Sequence, residues 1–263
     1  NMALITNLSS ISKYFSITVK PEILASIQHL NAFTANDVLF NWTPFTLNSN
    51  GICRLVGVNA IIRGTDGAAQ DCAMDLLWGN GAARGDIASG TAPTVLGTAH
   101  AAISAQANPS YNNIIGKTAI TAADHTEGAI IRVASSNTIA GGESPLLFEP
   151  YDGTAQTAAK TTFYVAGTCI GTPDFHSDVA LTGAHSAGAA NDLTVDGTDA
   201  RLVLAPGDTI TAQDDAAIGV VGTVPDATSI LLKGGANNTA ALANNDDIYN
   251  INPITLRLTF ERL

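Results

Sequence analysis

Residues Ile254–Arg262, read I-T-L-R-L-T-F-E-R, constrain the fold more than any other stretch of the chain. Ile254, Leu256, Leu258 and Phe260 alternate with Thr255, Arg257, Thr259 and Glu261. A period of two belongs to a strand with one face on a core and the other in water. Branched and aromatic side chains suit such a half-buried pleated surface. Pro253 stands just ahead of the run, where a missing N–H does least harm to a ladder. The spacing predicts a paired strand that ties the chain end into a sheet.

Other segments repeat this signature between turns. Val38, Phe40 and Trp42 alternate ahead of Pro44, and residues 48–51 read as a turn. Residues 52–63 (I-C-R-L-V-G-V-N-A-I-I-R) are apolar on both faces, as a central sandwich strand is. Cys72, Met74, Leu76 and Trp78 alternate with Ala73, Asp75 and Leu77, and residues 161–170 form a further strand pattern. Shorter β pieces are expected at 114–121, 129–134, 146–149, 193–195, 201–204, 208–212, 218–224 and 229–232. Residues 171–188 and 234–247 read as loops, and 99–107 as either a helix or a surface loop. Short strands divided by frequent turns point to an all-β fold, a β-sandwich or jelly-roll-like body, and not to βαβ units.

The beginning reads differently. Residues 1–20 are Ser-rich, and 21–30 suit a short helix, with Pro21 at its first position and Glu22 at its positive end. Ile23, Leu24, Ile27 and Leu30 would make one apolar face. The expected organisation is an N-terminal arm over 1–35 and a β-sandwich domain over 36–263. A helix packed on its own domain is the alternative.

A hydrophobic fraction of 46% supplies a core without disulfide or metal staples. Charged residues make up 13%, where about 25% is usual. Either the surface is neutral and polar, or other subunits cover part of it. The net charge of −11 is unevenly placed: residues 174–247 hold eleven Asp against Arg201 and Lys233. Such a surface repels phosphate and argues against direct nucleic-acid binding. Five of the 23 acidic residues are Glu, and the Asp excess favours turns, where a short carboxylate bonds nearby N–H groups. Cys53, Cys72 and Cys169 have neither disulfide nor zinc spacing; Cys53 and Cys72 lie in apolar stretches and read as buried thiols. No secretory leader and no membrane span are expected, so synthesis is expected in the cytoplasm.

Few motifs could carry chemistry. Asp174, His176, Asp178 and His185 crowd one loop, and imidazoles with carboxylates ligate divalent ions. No H-E-x-x-H accompanies them, and a solvated loop is the preferred reading. Asp214-Asp215 and Asp246-Asp247 could hold calcium, but the D-x-[DN]-x-[DN]-G pattern is missing. Around Ser186, the run A-H-S-A-G has Ala184 where a nucleophile elbow needs Gly. Ser10 and Lys13 fit S-x-x-K without its companion motifs, and Gly79-Asn80-Gly81 lacks the Lys of a phosphate loop. A carboxylate pair for sugar hydrolysis stays open, because separation in space is invisible in a sequence. The sequence therefore assigns no catalytic, cofactor-binding or metal-binding residue and no cofactor. Sequons occur at Asn7, Asn41 and Asn237, and without a leader they are expected to stay unmodified.

Three segments carry a likeness: R-L-V-G-V-N-A-I-I-R at 54–63, L-A-P-G-D-T-I-T-A at 204–212, and the ending at 250–262. Together with the Ala/Gly/Thr-rich, lysine-poor composition, they make the chain resemble virion structural proteins of tailed bacteriophages, particularly capsid decoration (cement) proteins. The resemblance implies a sandwich or jelly roll, often trimeric, bound over joints between subunits of the major capsid protein. The expectation is a non-enzymatic structural protein on the outer surface of a virus particle, a homotrimer in contact with the major capsid protein. A tail or fibre module recognising glycans is an alternative, disfavoured by 6% aromatic residues. A sandwich-fold polysaccharide hydrolase and a major capsid jelly roll are the others.

Overall fold

The computed structural model describes residues 13–47, 51–63, 72–80, 93–104, 114–126, 131–136, 146–149 and 162–263. Asn7, Ser10, Gly81, most of the 48–51 turn, and parts of the expected elements at 99–107 and 129–134 lie outside these residues. The chain runs through β1 (Tyr14–Val19), a one-turn helix α1 (Ala25–Gln28), β2 (Val38–Thr46), β3 (Cys53–Arg63), β4 (Met74–Asn80) and β5 (Ile114–Ile120). It continues through β6 (His125–Thr126), β7 (Ile131–Ser136), β8 (Leu147–Phe148), β9 (Thr162–Cys169) and β10 (Val179–Leu181). Then come β11 (Asp192–Gly197), helix α2 (Ala200–Val203), β12 (Thr209–Ala212), β13 (Ala217–Asp226), β14 (Ser229–Leu232), β15 (Ile248–Asn250) and β16 (Ile254–Arg262). The protein is nearly all β, with antiparallel sheets. Among the described residues, no helix is long and apolar enough to cross a membrane.

Two of the sheets form a sandwich. The first runs β1-β16-β3-β7-β6 with β8 beside β3, and the second runs β2-β9-β4-β5. Leu258 of the terminal strand lies opposite Ile17 on one side and Val58 on the other. Its inward residues Leu256, Leu258 and Phe260 join Leu55 and Val58 of β3 in one core with Leu39, Met74, Trp78 and Val165 of the second sheet. Rings of Phe45, Trp78, Phe148, Phe163 and Phe260 interlock at centroid separations of 5.1–6.2 Å. Burying each such side chain contributes about 1.5–3 kcal/mol.

The outer face of the second sheet is also covered. Val38, Trp42, Tyr164 and Ala166 pack with Leu96, and Ile103 adds to them. Asn41 holds the covering segment from both ends of its amide: Oδ1 accepts from Leu96 N–H at 2.9 Å and Nδ2 donates to the Gly97 carbonyl at 2.9 Å. Trp42 Nε1 donates to the Thr94 carbonyl at 3.0 Å. Residues 99–104 are non-helical, with single bridges from Ala99 to Val38 and from Ala102 to Asp37.

The described part of 1–35 is not a separate arm. β1 pairs along its length with β16, and Val19, Ile23 and Phe33 enter the sandwich core. Without β1, the terminal strand would present an unpaired edge. The expected helix over 21–30 contracts to four residues, because Ile23 N–H donates to the Ile251 carbonyl at 2.8 Å in an extended stretch. Leu24 and Leu30 are exposed, and within the helix Ala25 and the polar Gln28 are buried. Gln28 Nε2 donates to the carbonyls of Ile23 and Asn250.

Between β9 and β16 the chain builds a second body with its own core. The third sheet runs β10-β11-β14-β13-β12-β15. It curls until its ends meet: Ala180 bridges Asp247, and Asn245 N–H donates to the Leu181 carbonyl at 2.8 Å. Val179, Leu193, Val195, Ile210, Ile218 and Ile248 are among the residues that fill this barrel-like interior. Residues 201–203 of the strand expected at 201–204 are helical and Leu204 is extended just beyond them, because Asp199 caps α2 by accepting from Arg201 N–H at 3.0 Å. Ala200 and Val203 close one end of the core.

The two bodies are joined by polar contacts that are buried or partly buried. Asp208, 6% exposed at its side chain, accepts from Arg63 Nη1 at 2.8 Å and from Asn250 Nδ2 at 3.0 Å. Asp215 accepts from Ser26 N–H at 2.9 Å and from its hydroxyl at 2.5 Å, satisfying the start of α1 from across the junction.

Candidate functional site

The residues singled out from the sequence part company in the structure. His185 pairs backbone to backbone with Leu242 in the barrel. Asp174 Oδ1 accepts from His176 N–H at 2.9 Å, an Asx turn. Asp178 is exposed. Of the acidic pairs, Asp214 accepts from Ala216 N–H at 3.0 Å, Asp215 caps α1, and Asp246 accepts from Ala243 N–H at 2.6 Å. These are the turn carboxylates that the Asp excess implies. Ser186 is exposed, and no strand leads into a helix around it.

Two of the singled-out residues meet a third that no spacing connects to them. Among the described residues, His29, His176 and Asp247 offer ligand atoms that all lie within 4.8 Å of one another. His29 follows α1, His176 lies on the link from the sandwich to the barrel, and Asp247 sits at the barrel's closing bridge. The group therefore marks the junction of the two bodies.

Its geometry is set by a buried tyrosine. Tyr249 is fully buried, and its hydroxyl lies 2.8 Å from His29 Nδ1. The His29 and His176 rings stack at 5.1 Å and 30°. Tyr249 stands edge-on to both, at 6.0 and 6.4 Å. Asp247 Oδ2 is 3.8 Å from His29 Nδ1. Burial raises the Asp247 carboxyl above its ordinary value; the two histidines oppose the shift, and Asp178 and Asp246 add to it. Burial likewise raises the Tyr249 phenol, so it stays a neutral hydrogen-bonding group.

Local spacing marks His176 as part of a candidate loop and Asp247 as part of a candidate turn, but it misses His29. Residues this remote along the chain leave no trace in a local pattern. The thiols offer no competing chemistry: Cys53, Cys72 and Cys169 are buried. Burial, with the nearby Asp37 charge, pushes Cys169 up to about 12, far from a reactive thiolate. Asn41 of the second sequon uses both ends of its amide within the fold. No protein-family model matches the chain, and no curated protein or solved structure matches it either.

Proposed function

We propose that this chain is a non-enzymatic structural protein of a virus particle, a decoration protein that assembles as a trimer on the outer capsid surface against the major capsid protein. The observation that carries the reading is a set of exposed apolar residues at one end of the first sheet. Tyr14, Ile52, Leu147 and Leu263 are all exposed. The register puts Tyr14 opposite Glu261, Arg262 opposite Cys53 and Leu147 opposite Arg54, while Leu263 N–H donates to the Ile52 carbonyl. Exposed apolar residues gathered in one place suit a protein contact better than scattered ones do. A charged fraction of 13% fits a surface partly covered by other subunits. The segments behind the phage resemblance become β3, the turn into β12 and the terminal strand β16, so the likeness rests on framework strands.

Closed cyclic symmetry buries one such patch repeatedly without open-ended growth. Light scattering coupled to size exclusion is expected to report a mass near three times 27.0 kDa. Ile52→Asp combined with Leu147→Asp is expected to yield a folded monomer with an unchanged circular dichroism spectrum. A wild-type chain that stays monomeric at high concentration would contradict the assembly reading.

A further inference from the structure

We propose that His29, His176 and Asp247 bind one zinc-type divalent cation that pins the sandwich to the barrel. This site is independent of the virion reading, and neither depends on the other's outcome.

The donor set selects the kind of ion. Two imidazoles and one carboxylate suit zinc and its transition-metal neighbours. Calcium and magnesium prefer cages of oxygen alone. Three protein ligands leave a fourth position of a tetrahedral ion open to water or to a group from a partner.

The geometry is close to what such an ion needs. The three ligand atoms lie within 4.8 Å of one another, and donors around one tetrahedral zinc stand about 3.3 Å apart. Closing that gap requires a small side-chain rotation. His29 is the more exposed of the two, with a side chain 41% exposed against 19% for Asp247.

The surrounding residues hold the ligands in place. His176 is carried by the Asx turn from Asp174 and flanked by the buried residues Phe175 and Ser177. The Ser177 hydroxyl donates to the Ile248 carbonyl at 2.7 Å, fixing the link against the strand that follows Asp247. The Tyr249 hydroxyl lies 2.8 Å from His29 Nδ1, the ring nitrogen that also faces Asp247 Oδ2 at 3.8 Å. Asp174, Asp178 and Asp246 lie in the same two segments and add negative charge that favours a cation over an anion.

The position gives the ion a task. Its ligands come from the N-terminal segment, from the link between the bodies and from the barrel seam. A bound ion stabilises whichever state presents all three together, which is the docked arrangement of the two bodies.

The test uses the full chain, stripped with a chelator and titrated with zinc chloride in a calorimeter. One zinc per chain is expected, with a melting temperature that rises as zinc is added. His29→Ala and Asp247→Asn should each weaken binding by more than about tenfold, while their metal-free circular dichroism spectra match the wild type. His185→Ala should bind as the wild type does. Cobalt as a substitute should give a visible absorption band that His29→Ala removes. Absence of saturable zinc binding would overturn the proposal. So would binding of wild-type affinity in both His29→Ala and Asp247→Asn, because the ion would then sit elsewhere.

Discussion

Leu258 and Thr259 are neighbours in β16 that meet opposite environments. Leu258 is fully buried in the sandwich core, whereas Thr259 is partly exposed, its hydroxyl 3.1 Å from that of Ser16. Leu258→Asp places an unpaired charge among apolar side chains and is expected to cost about 4 kcal/mol or more. Thr259→Asp is expected to stay within about 1 kcal/mol. Melting temperatures of the two variants check the assignment of faces, and equal values would contradict it. This contrast was legible in the sequence, because a period of two assigns faces directly. Glu261, two residues on, was not: alternation put it in water, yet it is 2% exposed. A hydrogen bond from Lys13, reinforced by Arg54, holds its carboxyl below the ordinary range. Long-range partners like these leave no periodic signal.

At the scale of elements, alternation is readable along each stretch of unbroken register. In β4, Met74, Leu76 and Trp78, which precede the register shift at Gly79, point inward as their alternation implies. β3 misled for a definable reason. Its register against β16 shifts between Thr259 and Phe260, opposite Gly57 and Leu55, so Val56 is an extra residue. The inward series changes phase, from Cys53 and Leu55 to Val58, Ala60 and Ile62. A bulge of this kind makes a one-faced strand look apolar on both faces. The short strands β10 and β15, three residues each, are too brief for alternation to identify; burial in the barrel specifies them. β1 was hidden by its Ser and Thr residues on the exposed face.

Elements of the two bodies are coupled through Asp208, just ahead of β12, and Arg63 at the end of β3. Asp208 is nearly excluded from solvent, so removing either partner leaves a poorly compensated polar group. A double-mutant cycle with Arg63→Ala and Asp208→Ala is expected to give a coupling of about 2 kcal/mol in unfolding free energy. Additive effects would show that the pair does not hold the bodies together.

The whole molecule explains the uneven charge. The acidic stretch of 174–247 coincides with the barrel and the link that leads to it. A composition shift that looks in the sequence like a surface property is thus the mark of a second body. The cluster of His29, His176 and Asp247 escaped the sequence because three remote segments build it, and the exposed apolar end of the first sheet escaped because registers define it. Under the proposed decoration role, that end would meet other subunits and the acidic barrel would lie away from packaged genome. The most direct test of the proposed virion role is quantitative mass spectrometry of particles purified from cells that produce this chain. Peptides of this chain are expected there in fixed stoichiometry to the major capsid protein. Peptides found in the cell lysate but absent from purified particles would contradict the proposed virion role.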